Sequence, residues 1–173
     1  VLVELDGLVV AKAKDMHIVM NHLIFPSKEG FTESINANLF DNMIILGRVR
    51  LPDNLIEIGN THNNKEGSGT FVNCQFNILE IPPLVENIGN SAFGDCKIGI
   101  LKLYPRVLST EYARQFKGAE IENLYLLESH IPLSHKWGLL DSIACNASVG
   151  NLYVDNANHL VHLDSWRDLL KER

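Results

Sequence analysis

Seven histidines and three cysteines are the residues from which a metal or nucleophilic centre in this chain would have to be built. The histidines are His17, His22, His62, His130, His135, His159 and His162, and only His159 and His162 stand close together, three residues apart. A zinc site needs about three or four convergent ligands, and neither H-E-x-x-H nor C-x-x-C occurs. The histidines therefore read as surface imidazoles, with no metal and no cofactor. Cys74, Cys96 and Cys145 are separated too widely for a redox pair in sequence, and Cys145-Asn146 has no nucleophile signature around it. There is no G-x-S-x-G elbow for an activated serine. Gly67-Ser68-Gly69 lacks the Lys-Ser/Thr that follows a phosphate-cradling loop and reads as a loop tip. Asp141 and Asp155 form no acid/base pair by spacing, and the Asn146-Ala147-Ser148 sequon is discounted because the repeat register below places Ala147 in the core. This inventory points away from an enzyme.

The elements that carry these residues belong to an ordinary globular balance. The chain has 173 residues, 46% of them hydrophobic and 21% charged, with a net charge of −6. That is too apolar for disorder and long enough to bury a sizeable core. No cluster of Lys and Arg is dense enough to release counterions from a phosphate backbone, so nucleic acid is excluded as a partner. No apolar run approaches the roughly 18 residues that cross a bilayer, so no membrane span is expected.

The strongest signal is internal repetition. Phe71, Cys74, Leu79 and Ile81 are spaced by three, five and two residues, and so are Phe93, Cys96, Leu101 and Leu103. Phe116, Ala119, Leu124 and Leu126 repeat the spacing, as do Ala144, Ala147, Leu152 and Val154. Upstream, Ile35, Phe40 and Met43 take the corresponding places, with one residue of slack before Val49 and Leu51. Six rungs follow, at 23/25, 49/51, 79/81, 101/103, 124/126 and 152/154. A period of about 22 to 23 residues with insertions is that of a leucine-rich repeat, whose single unit cannot bury its apolar side alone. Gly59 and Gly89 fall where the chain turns, and a positive φ is expected at both. Residues 61–70 interrupt the second copy and should loop out. Cys74 and Cys96 hold equivalent places. Met43, Ala119 and Ala147 hold that place in other copies, which points to volume filling and reduced thiols, although rungs about 5 Å apart leave a bridge sterically open.

The run from Pro83 to Cys96, Pro-x-Val-x-x-Ile-Gly-x-x-Ala-Phe-x-x-Cys, resembles the BspA-type (Treponema-type) leucine-rich repeat of bacterial surface proteins. The resemblance implies an α/β leucine-rich-repeat solenoid of about six rungs, with short parallel strands, short return segments and a C-terminal capping helix. It also implies one domain over 1–173, with an N-terminal cap at 1–22, repeats at 23–154 and a C-terminal cap at 155–173, where Trp166, Leu169 and Leu170 would form the lid. The implied work is noncovalent protein binding or adhesion, bacterial, secreted or on the cell surface, toward an unknown protein or a host extracellular-matrix ligand. The alternative is a structural spacer whose recognition lies in another part of the chain.

Strand alternation then locates the candidate surface. With the rung aliphatics inward, Arg50, Glu80, Lys102, Tyr125 and Tyr153 point outward in one row. Arg48, Ile78, Ile100, Asn123 and Asn151 run beside them. Tyr next to Asn supplies rigid apolar area with hydrogen-bonding tips, a composition enriched in recognition surfaces. The candidate ligand-binding face is therefore Arg50, Glu80, Lys102, Tyr125, Tyr153, Asn123 and Asn151.

Overall fold

A computed structural model describes residues 2–5, 8–11, 18–25, 34–35, 39–59, 69–104, 114–127, 143 and 146–154. Its strands are β1 (Leu2–Leu5), β2 (Leu8–Ala11), β3 (Ile18–Met20), β4 (Leu23–Ile24), β5 (Ser34–Ile35) and β6 (Met43–Arg50), followed by β7 (Glu57–Ile58), β8 (Gln75–Glu80), β9 (Asn87–Ile88), β10 (Lys97–Leu103), β11 (Glu120–Leu126) and β12 (Ser148–Val154). β1 and β2 form an antiparallel pair. The main sheet runs β12-β11-β10-β8-β6-β3, with β4 also on β6, and every pairing in it is parallel. A second parallel sheet of short strands, β5-β7-β9, forms the opposite wall. The architecture is a parallel-strand solenoid of about four turns.

The repeat spacing becomes register. Leu101 pairs with Leu79 and with Leu124, and Leu124 pairs with Leu152, so equivalent residues stack directly. Leu79, Leu101 and Leu124 are wholly buried. Each such side chain contributes about 1.5–3 kcal/mol by leaving water, which one coil alone could not achieve. Phe40, Phe71, Phe93 and Phe116 form a continuous column, with ring centroids 5.2, 5.3 and 5.0 Å apart and planes within 15° of parallel. Met43, Cys74, Cys96 and Ala119 are buried beside them. The Cys74 thiol donates to the Phe40 carbonyl and the Cys96 thiol to the Phe71 carbonyl, both at 2.8 Å. Both cysteines are unbridged, each thiol bonded to the preceding coil. Burial pushes the Cys96 thiol well above its ordinary range, and the neighbouring Cys74 adds to the shift. These thiols are packing atoms rather than nucleophiles.

Two residues after each of these phenylalanines the backbone turns left-handed, at Asn42, Asn73, Asp95 and Gly118, with φ of 59°, 55°, 54° and 74°. Asn, Asp and Gly are the residues that tolerate this region. The amide of each turn residue donates to the next coil, Asn42 to Val72 O, Asn73 to Gly94 O, Asp95 to Lys117 O and Gly118 to Asn146 O. These bonds also set the form of the returns. As far as Gly118 the described returns are turns and two-residue strands, because most of their N–H groups are spent on the neighbouring coil, whereas before β12 Ile143 and Asn146 are helical and the Ala147 amide donates to the Ile143 carbonyl four residues back. The capping helix expected at 155–173, with Trp166, Leu169 and Leu170, lies outside the described residues, as does most of the 61–70 insertion. A correction concerns the turn glycines. Gly59 has φ of 84°, but Gly89 has no positive φ. Gly89 is instead placed by close approach, since a Cβ on Gly59 would lie 3.4 Å from its Cα.

The first rung begins earlier than Leu23, because Ile18–Met20 already pairs with β6. The slack before Val49 is also resolved. β6 carries one extra residue between Ile45 and Arg48, and the register against β8 shifts there.

Candidate functional site

β6, β10 and β11 each bury three positions that are not evenly alternating. On β10, Ile98, Leu101 and Leu103 are buried, so Gly99 and Ile100 face outward in succession. β8 and β11 do the same, with Asn77-Ile78 and Glu122-Asn123 between their first two buried positions. No Cα pairing joins Gly99 to Asn77 or Glu122, and none joins Glu122 to Gly150. The strands thus kink together at one level, and Phe76, Ile98, Ile121 and Val149 form an inward column below the kink. The phenylalanine-to-cysteine spacing drew attention away from this column, although its own recurring spacing of three and two residues to the rung aliphatics was there to be read.

Backbone geometry at the kink selects the side chains. A Cβ on Gly99 would lie 2.8 Å from Asn77 O, one on Gly150 would strike Glu122 O, and one on Gly47 would strike Asn21 O. Carbonyls at this level that face no glycine are met by asparagine. Asn77 Nδ2 donates to Leu46 O at 3.2 Å, and Asn123 Nδ2 donates to Gly99 O at 3.3 Å. His22 plays a similar part, its Nδ1 accepting from the Arg48 amide at 3.0 Å. That histidine is a backbone cap; His17, His62, His130, His135, His159 and His162 lie outside the described residues.

The candidate face is assembled as one strip. Lys102 pairs in register with Glu80 on one side and with Tyr125 on the other, and Tyr125 pairs with Tyr153. The two tyrosine rings stack at 4.4 Å with planes 10° apart, and Tyr153 is 45% exposed. Beside them Asn123 pairs with Asn151, and Asn151 Nδ2 donates to Asn123 Oδ1 at 3.0 Å. With Asn123 donating onward to Gly99 O, this is a directed chain of amides in which each bond polarises the next. It restrains the rotamers of the two asparagines beside the tyrosine stack.

The charged half is paired. Arg50 reaches Asp53 at 3.2 Å, Lys102 reaches Glu80 at 3.9 Å, and Lys97 reaches Glu120 at 3.9 Å. Tyr104, a residue the alternation argument missed because it lies past the end of β10, donates its hydroxyl to Glu80 Oε1 at 3.2 Å. Desolvation, with the Glu80 charge and hydrogen bond, raises its pKa. Among the described residues of this face, Arg48 and Glu122 carry no ion pair. No group of three or more His, Cys, Asp or Glu among the described residues is placed to hold a metal ion, and no helix there is long and apolar enough to cross a membrane.

Among known proteins, the family model described as the BspA type leucine rich repeat region, in 6 copies, matches residues 17–63 and 64–135. No curated protein and no solved structure gives a match. The sheet continues past the matched span through β12, which keeps the register of β11 residue for residue at its paired positions. Stacked Phe and Cys columns, a parallel ladder of rung aliphatics and the family match over well more than half of the chain agree, and the chain belongs to the BspA-type leucine-rich repeat proteins.

Proposed function

We propose that the chain is a noncovalent protein-binding or adhesion module of a bacterial cell-surface or secreted protein, and that it binds through the outer face of the main sheet. The observation that carries this reading is the Tyr125–Tyr153 stack with the Asn123–Asn151 amide chain beside it. Ordered aromatic area loses little rotamer freedom on binding, so more of its contact energy remains as affinity. The ion pairing of the neighbouring rungs favours a protein ligand over a polyanion, because Arg50, Lys97 and Lys102 already have carboxylate partners. The bacterial surface location rests on the family, whose repeats are associated with surface proteins.

The test is binding to a panel of immobilised extracellular-matrix proteins, with Tyr125→Ala/Tyr153→Ala beside the unaltered chain. Both rings lie on the outer face, so the variant should keep its unfolding midpoint to within about 1 kcal/mol. Loss of aromatic anchors costs about 2 kcal/mol or more each, so affinity should fall by roughly a hundredfold or beyond. Unchanged affinity in a folded double variant would move the binding surface elsewhere.

A further inference from the structure

Both ladders of the tyrosine strip stop at β12, the last strand of the described sheet. Tyr125 covers one face of the Tyr153 ring, and Tyr153 makes no other ring contact among the described residues. The residue is 45% exposed, and on the side away from β11 the described sheet has no further strand to cover it. The amide chain ends at the same rung. Asn151 donates through Nδ2 to Asn123 Oδ1, and Asn123 donates in turn to Gly99 O. Donation by Nδ2 polarises its own amide, so Asn151 Oδ1 is the strengthened acceptor at the exposed end of the chain. No described residue donates to it.

The charge around these two groups has one sign. β11 and β12, from Glu120 to Leu126 and from Ser148 to Val154, contain no Lys, Arg or His. Their charged residues are Glu120, which Lys97 reaches at 3.9 Å, and Glu122, exposed and without an ion pair. Lys102, the other cation of the adjacent β10, is held by Glu80. Gly150 is kept free of a side chain by Glu122 O, which leaves open ground between Glu122 and Asn151. The face of a tyrosine ring is itself the negative side of its quadrupole. Ring face, amide oxygen and carboxylate therefore all attract positive charge.

We infer that the β12 end of the strip takes an arginine side chain of a partner protein, its guanidinium stacked on the open face of Tyr153 and donating to Asn151 Oδ1, with Glu122 supplying the attracting charge. The inference rests on the reading of the outer face as a recognition surface and names the partner's chemistry there. Tyr153 and Asn151 stand about 6.6 Å apart along the strand, at roughly 3.3 Å per residue. A guanidinium offset toward Asn151 spans that step with one N–H···O bond of about 2.9 Å. Charge complementarity and shape together select this occupant. A phenyl or phenol ring would stack but brings no positive charge to Glu122. A lysine ammonium brings the charge without the plane or the fork of donors, and an acidic side chain meets like charge. The guanidinium is planar, always cationic and donor-only.

The probe is the capped peptide Gly-Ser-Arg-Ser-Gly, compared with Gly-Ser-Lys-Ser-Gly at fixed ionic strength. Each is titrated into the whole ¹⁵N-labelled chain and followed by backbone and side-chain amide shifts. The expected result is a concentration-dependent shift of the Tyr153 amide and the Asn151 side-chain amide, with the arginine peptide bound about twofold to fivefold more tightly, the range exposed cation–π contacts supply. Tyr153→Phe should keep that preference and Tyr153→Leu should erase it. Glu122→Gln should weaken both peptides alike and leave their ratio unchanged, because it removes charge and not the stack. Tyr153 and Glu122 are exposed, so folding is retained, and the amide spectrum of each variant verifies it. Equal affinity for the two peptides, shifts that avoid Tyr153 and Asn151, or no shift at tens of millimolar peptide would each overturn the inference. Binding to the immobilised matrix proteins is read separately. A chain that holds a matrix protein through its tyrosines yet ignores the arginine peptide loses this inference and keeps the recognition reading.

Discussion

Phe93→Ala is expected to destabilise the domain by about 3–5 kcal/mol, seen as a fall in the urea midpoint without a change in slope. Phe93 is wholly buried at the centre of the aromatic column, with Phe71 at 5.3 Å and Phe116 at 5.0 Å on its two faces and Phe76 edge-on at 6.4 Å. The cavity cannot close by local collapse, because the rings above and below are fixed by the backbone spacing of their own coils. Removing Phe93 also deletes three ring contacts at once, each worth about 0.5–1.5 kcal/mol beyond its buried area. The control is Leu84→Ala. Leu84 is 44% exposed, so its truncation should change stability by no more than about 0.5 kcal/mol. Equal effects at the two positions would refute the register of the column.

A second large effect is expected from adding a single methyl group. Gly99→Ala should cost about 1–3 kcal/mol, the usual range for overpacking, although the substitution restricts the unfolded chain and would by itself be stabilising. The new Cβ would lie 2.8 Å from Asn77 O, a backbone atom of a paired strand that cannot rotate away. Relief requires β8 and β10 to separate at the kink, which also strains the Asn123 Nδ2 bond to Gly99 O. Equilibrium unfolding decides the sign. A stabilised variant would show that the strands do not approach as closely as described.

These two residues also show how much of the molecule was legible in the sequence. Phe93 was readable because burial at equivalent places selects one kind of side chain, and the same spacing recurred at Phe71 and Phe116. Gly99 was not. Its level of the sheet holds Leu46, Asn77, Gly99, Glu122 and Gly150, in which only the two glycines share a residue type, since the constraint is a carbonyl of the adjacent strand met by absence of a side chain at some rungs and by an asparagine amide at another. Such alternation is visible only once neighbours are known. The outward row of Arg50, Glu80, Lys102, Tyr125 and Tyr153 followed from counting by two from the rung aliphatics, which holds in the last part of each strand. The count fails before it, at the kink, where two residues in succession face out. The form of the return segments was not legible for a different reason. A short return segment in this repeat satisfies its amides on the next coil, as Phe71 does on Ala92 O and Phe93 on Gln115 O, and hydrophobic spacing carries no information about that choice.

The recognition reading depends above all on which residues share the outer face, and proximity of Tyr125 to Tyr153 tests that without any ligand. Cα atoms paired across a parallel ladder stand about 4.8 Å apart, within the range a disulfide spans. In a Cys145→Ala background, Tyr125→Cys/Tyr153→Cys should oxidise to an intramolecular disulfide under mild conditions, identified by mass spectrometry of the linked fragments. Tyr125→Cys/Leu152→Cys places its thiols on opposite faces and should remain reduced. Cross-linking of the first pair alone is the predicted result. Cross-linking of the second pair, or of neither, would contradict the register from which the face is built.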